Sequence, residues 1–358
     1  MEYTTLDKIS ENLDSKRKPI TSSDRVEGKI PYYGASGIVD YVKDYIFDES
    51  LLLVSEDGAN LLARSTPIAF SVTGKTWINN HAHVLRFSNE NLQKFVEIYL
   101  NSISLESYVT GSAQPKLNQK MLNGIPIPVV DDSQIEIIVN SVENLKSIIE
   151  LRKQELACLD ELIKARFVEM FGNPVINEKR WRQKSLGEIT TKIGSGATPK
   201  GGKGAYQEEG ITLIRSMNVH NGLFEYKELA HISDEQATKL DNVVIEENDV
   251  LLNITGASVA RSCVVPSKIL PARVNQHVCI IRCKKCINPE FLNKLLIDDN
   301  YQDLLWSIAG AGATREAITK QQVENLQIIM PPIELQIEFM RFCNQVNKSK
   351  FAVQKTLE

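Results

Sequence analysis

Four short stretches carry the residue types most often put to chemical use. Ala69-Phe70-Ser71-Val72-Thr73-Gly74-Lys75-Thr76 ends like a phosphate-binding loop, in which glycines let backbone N–H groups wrap a phosphate ahead of a helix N-terminus. Here Ala69 stands where the first glycine belongs, and Trp77-Ile78-Asn79-Asn80 is a poor helix start, so nucleotide binding is not expected. Cys283-Lys284-Lys285-Cys286, with His277 and Cys279 nearby, offers one CxxC pair where a structural zinc site normally uses four ligands in spaced pairs, so no metal is expected. Gly194-Ser195-Gly196 and Gly201-Gly202-Lys203-Gly204 look like a cofactor loop, but their strand-poor flanks favour a flexible binding loop. Asn173-Pro174-Val175 and Met330-Pro331-Pro332 lack the Asn/Asp-Pro-Pro-aromatic constellation with which an amino-methyltransferase holds its target amine. No nuclease, helicase or methyltransferase motif is visible, and a non-catalytic chain is the expectation.

The elements that must position these residues are written twice. Leu52-Leu53 before Asp57-Gly58-Ala59 returns as Val250-Leu251 before Thr255-Gly256-Ala257, and Asn79-Asn80-His81 before Val84-Leu85-Arg86 returns as Asn275-Gln276-His277 before Ile280-Ile281-Arg282. The loop Gly111 to Leu117 returns as Gly312 to Ile318, Ile125-Pro126-Ile127-Pro128 as Leu326-Gln327-Ile328-Ile329, and Gln134-Ile135-Glu136 as Gln336-Ile337-Glu338. Order and spacing are kept throughout, so the chain reads as two copies of one unit. Each copy is a globular part followed by a long helix.

Short β-branched runs at Leu51 to Val54, Pro67 to Val72, His83 to Phe87, Ile211 to Arg215, Val250 to Ile254 and His277 to Arg282 read as strands, with helices at Asn91 to Tyr108 and Pro289 to Trp306. The central helix follows from its period. Alternate steps of three and four pass through Ile135, Ile138, Val142, Leu145, Ile149, Arg152, Leu156, Leu159, Ile163, Arg166 and Met170, a heptad seam interrupted only by two arginines. No glycine or proline falls between Ser133 and Phe171, and Gly172-Asn173-Pro174 stops the run, giving a helix of roughly 57 Å at 1.5 Å per residue. Its seam needs a partner, and the helix starting at Ile333 supplies one, although it reaches Glu358 about fourteen residues before the repeat predicts. The expected fold is α+β, divided into 1–132, 133–172, 173–332 and 333–358.

With 358 residues, 42% hydrophobic and 24% charged, the chain has material for two sizeable cores without disulfides or metals. No apolar run approaches the roughly 18 residues of a membrane span. Met1 to Asp14 carries acids and no apolar stretch, which makes the cytoplasm the expected compartment and reduced thiols the expected state of the six cysteines. The net charge of −4 excludes a uniformly basic surface but not a local one. Lys179, Arg180, Arg182, Lys184, Lys192, Lys200 and Lys203 crowd one stretch against Glu178 and Glu188.

Taken in order, the strand and glycine turn Leu53 to Ala59, the loop Gly111 to Asn118 with its Pro126 and Pro128 exit, the helix end Arg166-Phe167-Val168-Glu169-Met170-Phe171-Gly172-Asn173-Pro174, and Gly194-Ser195-Gly196-Ala197-Thr198-Pro199 followed by Ile214-Arg215-Ser216 carry a resemblance. The chain resembles the specificity subunit of a type I restriction-modification system, along essentially its whole length. That resemblance implies a tandem of two target-recognition domains, each reading half of a bipartite site in double-stranded DNA, with the two helices pairing as an antiparallel coiled coil. It implies two modification subunits docked on the helices and restriction subunits beyond them. S-adenosylmethionine, and ATP with magnesium for restriction, would then belong to the partners, with no cofactor in this chain.

Two readers on a stiff spacer engage half-sites at a fixed separation, on the scale of the roughly 34 to 36 Å of one DNA turn. Base edges are read by polar side chains on loops, with Arg and Lys suited to guanine or phosphate and Asn or Gln to adenine. The candidates are Lys29, Tyr32, Tyr33, Ser36, Lys75, Asn80, Gln114 and Lys116 in the first unit, and Thr198, Lys200, Lys203, Arg215, Asn218, His220, Arg261 and Arg315 in the second. His81 and His277 read as structural. The competing class is a coiled-coil scaffold without DNA specificity; a nucleotide-binding enzyme would rest on the Lys75 loop alone.

Overall fold

The computed structural model describes residues 2–111, 114–199, 201–310 and 316–357, with the backbone alone at 203 and 205. By compactness the chain divides into residues 1–150 and 151–358. The cut falls inside the central helix rather than at its ends, because each half of that helix packs on a different body.

In the first unit, the apolar strand Leu51–Ser55 is buried at every position and lies at the heart of an antiparallel sheet ordered Glu11–Asn12, Ala82–Arg86, Leu51–Ser55, Ala69–Val72. A second sheet runs Gly37–Val42, Glu27–Gly34, Lys75–Ile78, Phe47–Asp48, with one parallel pair between Glu27–Gly34 and Lys75–Ile78. Leu52, Val54, Leu85, Phe95, Val96 and Leu100 pack one face of the first sheet against the helix Glu90–Ser102. The Ala69 to Thr76 stretch is two strands joined through Thr73 and Gly74, a geometry with no helix for a phosphate to sit on.

The second unit repeats this plan. Thr190–Ser195, Val278–Cys283, Val250–Asn253 and Ser262–Val264 form the matching antiparallel sheet, and Ala230–Ile232, Ile211–Ile214 and Ala272–Val274 the second, again with one parallel pair. Two details depart from the sequence reading. The expected helix Pro289 to Trp306 is two helices, Pro289–Leu296 and Asp299–Gly310, because Asp298 Oδ1 accepts the backbone N–H of Asn300 at 3.0 Å and starts the second afresh. Gly194 and Ser195 belong to a strand, not a flexible loop, and a Cβ on Gly196 would sit 1.8 Å from the Val274 carbonyl oxygen.

The central helix spans Asp132–Phe171 and the C-terminal one Ile333–Gln354. In its first turns, Ile135 and Val139 join the core of the first unit. In the second unit, Phe167 and Phe171 meet Phe339 with ring centroids 5.6 and 5.5 Å apart, Arg166 pairs with Glu338 at 3.3 Å, and Asp160 with Lys350. Positions rising on one helix fall on the other, so the pairing is antiparallel as expected. Between them Leu145, Ile148, Ile149 and Leu151 remain 44 to 60% exposed. No helix among the described residues is long and apolar enough to cross a membrane.

Candidate nucleic-acid interface

In each unit the central strand, the turn before its neighbour and the incoming loop converge on one spot. In the first, Gly58, at φ +107°, donates its N–H to the Pro115 carbonyl at 3.0 Å, and Leu117 N–H reaches the Glu56 carbonyl at 2.8 Å. The second does the same with Gly256 to Glu316 at 2.9 Å and Ile318 to Ile254 at 2.8 Å. These backbone bonds seat Pro115 to Leu117 in the first unit and Glu316 to Ile318 in the second beside the strand, so that equivalent clefts present different side chains.

Charge organises the first cleft. Glu56 accepts from Arg17 at 2.6 Å and pairs with Lys116 at 3.1 Å, while Arg17 also donates to the carbonyls of Asn80 and Ala82 at 3.3 and 2.7 Å. Burial alone would raise the Glu56 carboxyl, but the Arg17 bond, the neighbouring His83 and Lys116 hold it below the ordinary glutamate value. His81 Nδ1 lies 2.9 Å from Asp57. The turn around Ser36 is tied in by Ser55 Oγ, which donates to the Ala35 carbonyl, and by Asn79 N–H, which donates to that of Tyr33 at 3.1 Å. Thus Tyr33, Ser36, Asn80, Gln114 and Lys116 gather at one end, all but the half-buried Tyr33 exposed. Lys29 and Lys75, both exposed, lie toward the far end of the second sheet, and Lys75 Nζ sits 4.7 Å over the Tyr45 ring. Tyr32 is a correction: it is 1% exposed, its hydroxyl accepts the Ile20 N–H at 3.0 Å, and Arg25 stacks on its ring, so it serves the fold.

The second cleft encloses about 600 Å³, lined by Ser216, Thr255, Ser258, Arg261, His277 and Glu316 among others. Thr198 donates to Gln276, Gln276 meets His277 Nε2 at 3.0 Å, and Thr255 bonds His277 Nδ1, a polar chain along the rim. Arg261 and His220 are half-buried neighbours 3.4 Å apart. Arg215 is half-buried too, its guanidinium bonded to the Glu228 carbonyl and 5.5 Å from the Tyr206 ring. Asn218 is the second correction: fully buried, it spends its amide on the carbonyls of Glu225 and Lys227 and its oxygen on Arg215 N–H. Lys200 and Arg315 lie outside the described residues, and the Lys203 side chain is likewise undescribed. Sequence reasoning passed over Glu316, Ser258 and Thr255, although the last is legible as the repeat partner of Asp57.

All six cysteines are unpaired. Burial pushes the thiols of Cys263, Cys279 and Cys283 up to about 12. Among the described residues, Asp14, Glu56 and His83 alone cluster in the manner of metal ligands, and Arg17 and Lys116 already neutralise their acids.

The description "Type I restriction modification DNA specificity domain" matches residues 1–161 and again 178–358. A protein of Haemophilus influenzae named as a type I restriction enzyme specificity subunit is 37% identical over 139 residues, 38% of this chain and 36% of that protein. The chain therefore spans about a third of that relative's length in the alignment. The MjaVIII specificity subunit of Methanocaldococcus jannaschii is 21% identical over 355 residues, covering 90% of this chain and 80% of that one. In fold, the crystal structure of a type I restriction-modification S subunit from M. genitalium superposes with a TM-score of 0.55 at 14% identity, over 99% of this chain and 91% of that one. Two matches in tandem, on two copies of one fold separated by a long helix, place this chain in the type I restriction-modification DNA specificity family.

Proposed function

We propose that the chain is the non-catalytic, DNA-reading subunit of a type I restriction-modification complex, each unit reading one half of a bipartite duplex site. The observation that carries this reading is the pair of equivalent clefts: one backbone frame, seated by the same hydrogen bonds, displays Asn80, Gln114 and Lys116 in one copy and Thr198, Arg261 and Glu316 in the other. A frame kept constant while its exposed polar groups change suits recognition of two different sequences. The central helix, shared by both units, acts as the spacer. Its uncovered apolar stretch from Leu145 to Leu151 suits a docking surface for modification subunits, with restriction subunits joining the complex they form. The methyl donor, and ATP with magnesium, belong to those partners.

The test is substitution in the assembled complex. Lys116→Ala should weaken discrimination at the first half-site and Arg261→Ala at the second, each by about 1 to 3 kcal/mol where a base contact is lost. Lys75→Ala should weaken binding to all sequences and flatten its salt dependence by about one charge. Unchanged affinity and discrimination in all three variants would remove these residues from the interface.

A further inference from the structure

The two clefts carry their negative charge differently, and backbone register shows how. Asp57 bridges to Lys116 in the first unit and Thr255 to Ala317 in the second, which makes Lys116 and Ala317 equivalent and sets Glu316 in the place of Pro115. In the first cleft the acids have partners: Glu56 holds Arg17 and Lys116, and Asp57 faces His81 at 2.9 Å. In the second, Ile254 and Thr255 replace those two acids and alanine replaces the lysine. Among the described residues, Glu316 is the one acid lining this cleft. It is exposed, and its carboxylate makes no ion pair or hydrogen bond with any of them.

The backbone beneath that carboxylate is pinned at three successive residues. The Glu316 carbonyl accepts the Gly256 N–H at 2.9 Å, Ala317 N–H donates to the Ala309 carbonyl at 3.2 Å, and Ile318 N–H to that of Ile254 at 2.8 Å. Around it the cleft offers the Arg261 guanidinium and the Ser216 and Ser258 hydroxyls, whereas both His277 nitrogens are taken, by Thr255 and Gln276. In a cleft that reads DNA, a carboxylate without a counter-charge is repelled by phosphates, and its favourable partner is an amino group on a base edge. In the major groove cytosine shows its N4 amino group with no acceptor of its own beside it, adenine sets N7 next to its N6 amino group, and guanine and thymine present acceptors. A group that only accepts therefore favours cytosine over the other three.

We propose that Glu316 is a specificity-determining residue of the second unit: its carboxylate accepts from the N4 amino group of a cytosine in the major groove, so that this unit's half-site contains a C·G pair. The proposal rests on the DNA-reading role and adds the base that one side chain demands. Repulsion of phosphate by the same acid disfavours registers in which the DNA backbone lies at this point of the cleft, so the contact discriminates by exclusion as well as by attraction.

The test maps methylated positions in cells carrying the native chain, Glu316→Gln or Glu316→Ala together with the modification partner. The native motif should hold, in one half-site, a C·G pair that both variants relax. Glutamine donates as well as accepts and suits the N6 and N7 of adenine, so Glu316→Gln should admit A·T at that position, while Glu316→Ala should leave it degenerate. The other half-site should be unchanged in both, which also shows that the variants fold and assemble. A second measurement needs only the native complex: competition binding with duplexes in which each cytosine is replaced in turn by N4-methylcytosine, whose methyl group takes the place of the amino hydrogen offered to the major groove. One replacement should weaken native binding about five- to one-hundredfold, and the alanine variant should be insensitive to it. Identical motifs in all three proteins, a change at a position that the native complex does not read as C·G, or native binding indifferent to every N4-methyl replacement would each overturn the proposal. Methylation without sequence preference in either half-site would instead overturn the reading role, and this assignment with it.

Discussion

Arg86 and Arg282 occupy the same place in the two copies, and their surroundings show what a repeat does and does not disclose. Arg282 forks onto Asp249 with two bonds of 2.8 Å, and that carboxylate is wholly buried. Arg86 forks onto Glu49 at 2.5 and 2.6 Å, but Glu49 keeps 31% of its side-chain exposure. Removing Arg282 strands a buried charge, so Arg282→Ala should cost about 3 to 5 kcal/mol, whereas Arg86→Ala should cost about 1 kcal/mol, screened by solvent. Urea unfolding of the two variants checks the ordering, and equal losses would contradict it. The arginines were visible in sequence as the ends of matching strands. Their acids, more than thirty residues away, were not, nor was the burial of Tyr32 and Asn218, since a polar residue on a predicted loop gives no sign of which way it turns. Acid should act on the first unit as well. Asp14 is held below the ordinary aspartate value: burial opposes this, but the bond and charge of His83 with Val84 N–H and Arg17 prevail. Its contribution is full above the unfolded value and is lost as pH falls through the lower folded one.

At the scale of elements, the central helix was legible in length and period but not in which stretch has company. In its last turns the seam residue Ile163 is buried and Met170 half-buried, but Phe167 and Phe171, off the seam, also enter the core of the second unit. Phe167, Phe171, Phe291 and Phe339 form one aromatic cluster between the paired helices and the helix Pro289–Leu296, with Phe171 and Phe291 centroids 5.0 Å apart. Phe339→Ala should cost about 3 to 5 kcal/mol and unfold the C-terminal helix first. Hydrogen exchange resolved along the chain reads this, and a loss spread evenly over the first unit would contradict it.

At the scale of the whole molecule, the two-copy plan was the most legible feature, because a repeat constrains order and spacing without requiring any one motif. What the sequence withheld is the DNA text, which the proposed function assigns to exposed residues that differ between the copies. The central claim is that two readers share one spacer. One heptad inserted after Leu151 keeps the helix in phase and lengthens it by about 10 Å at 1.5 Å per residue. Four residues would instead rotate one half against the other and cost assembly. The most direct measurement is a map of methylated positions in cells carrying the heptad variant with its modification partner. The account predicts the same two half-sites as in the native complex, with the gap between them longer by up to about three base pairs at 3.4 Å each. An active variant that methylates with an unchanged gap would contradict it.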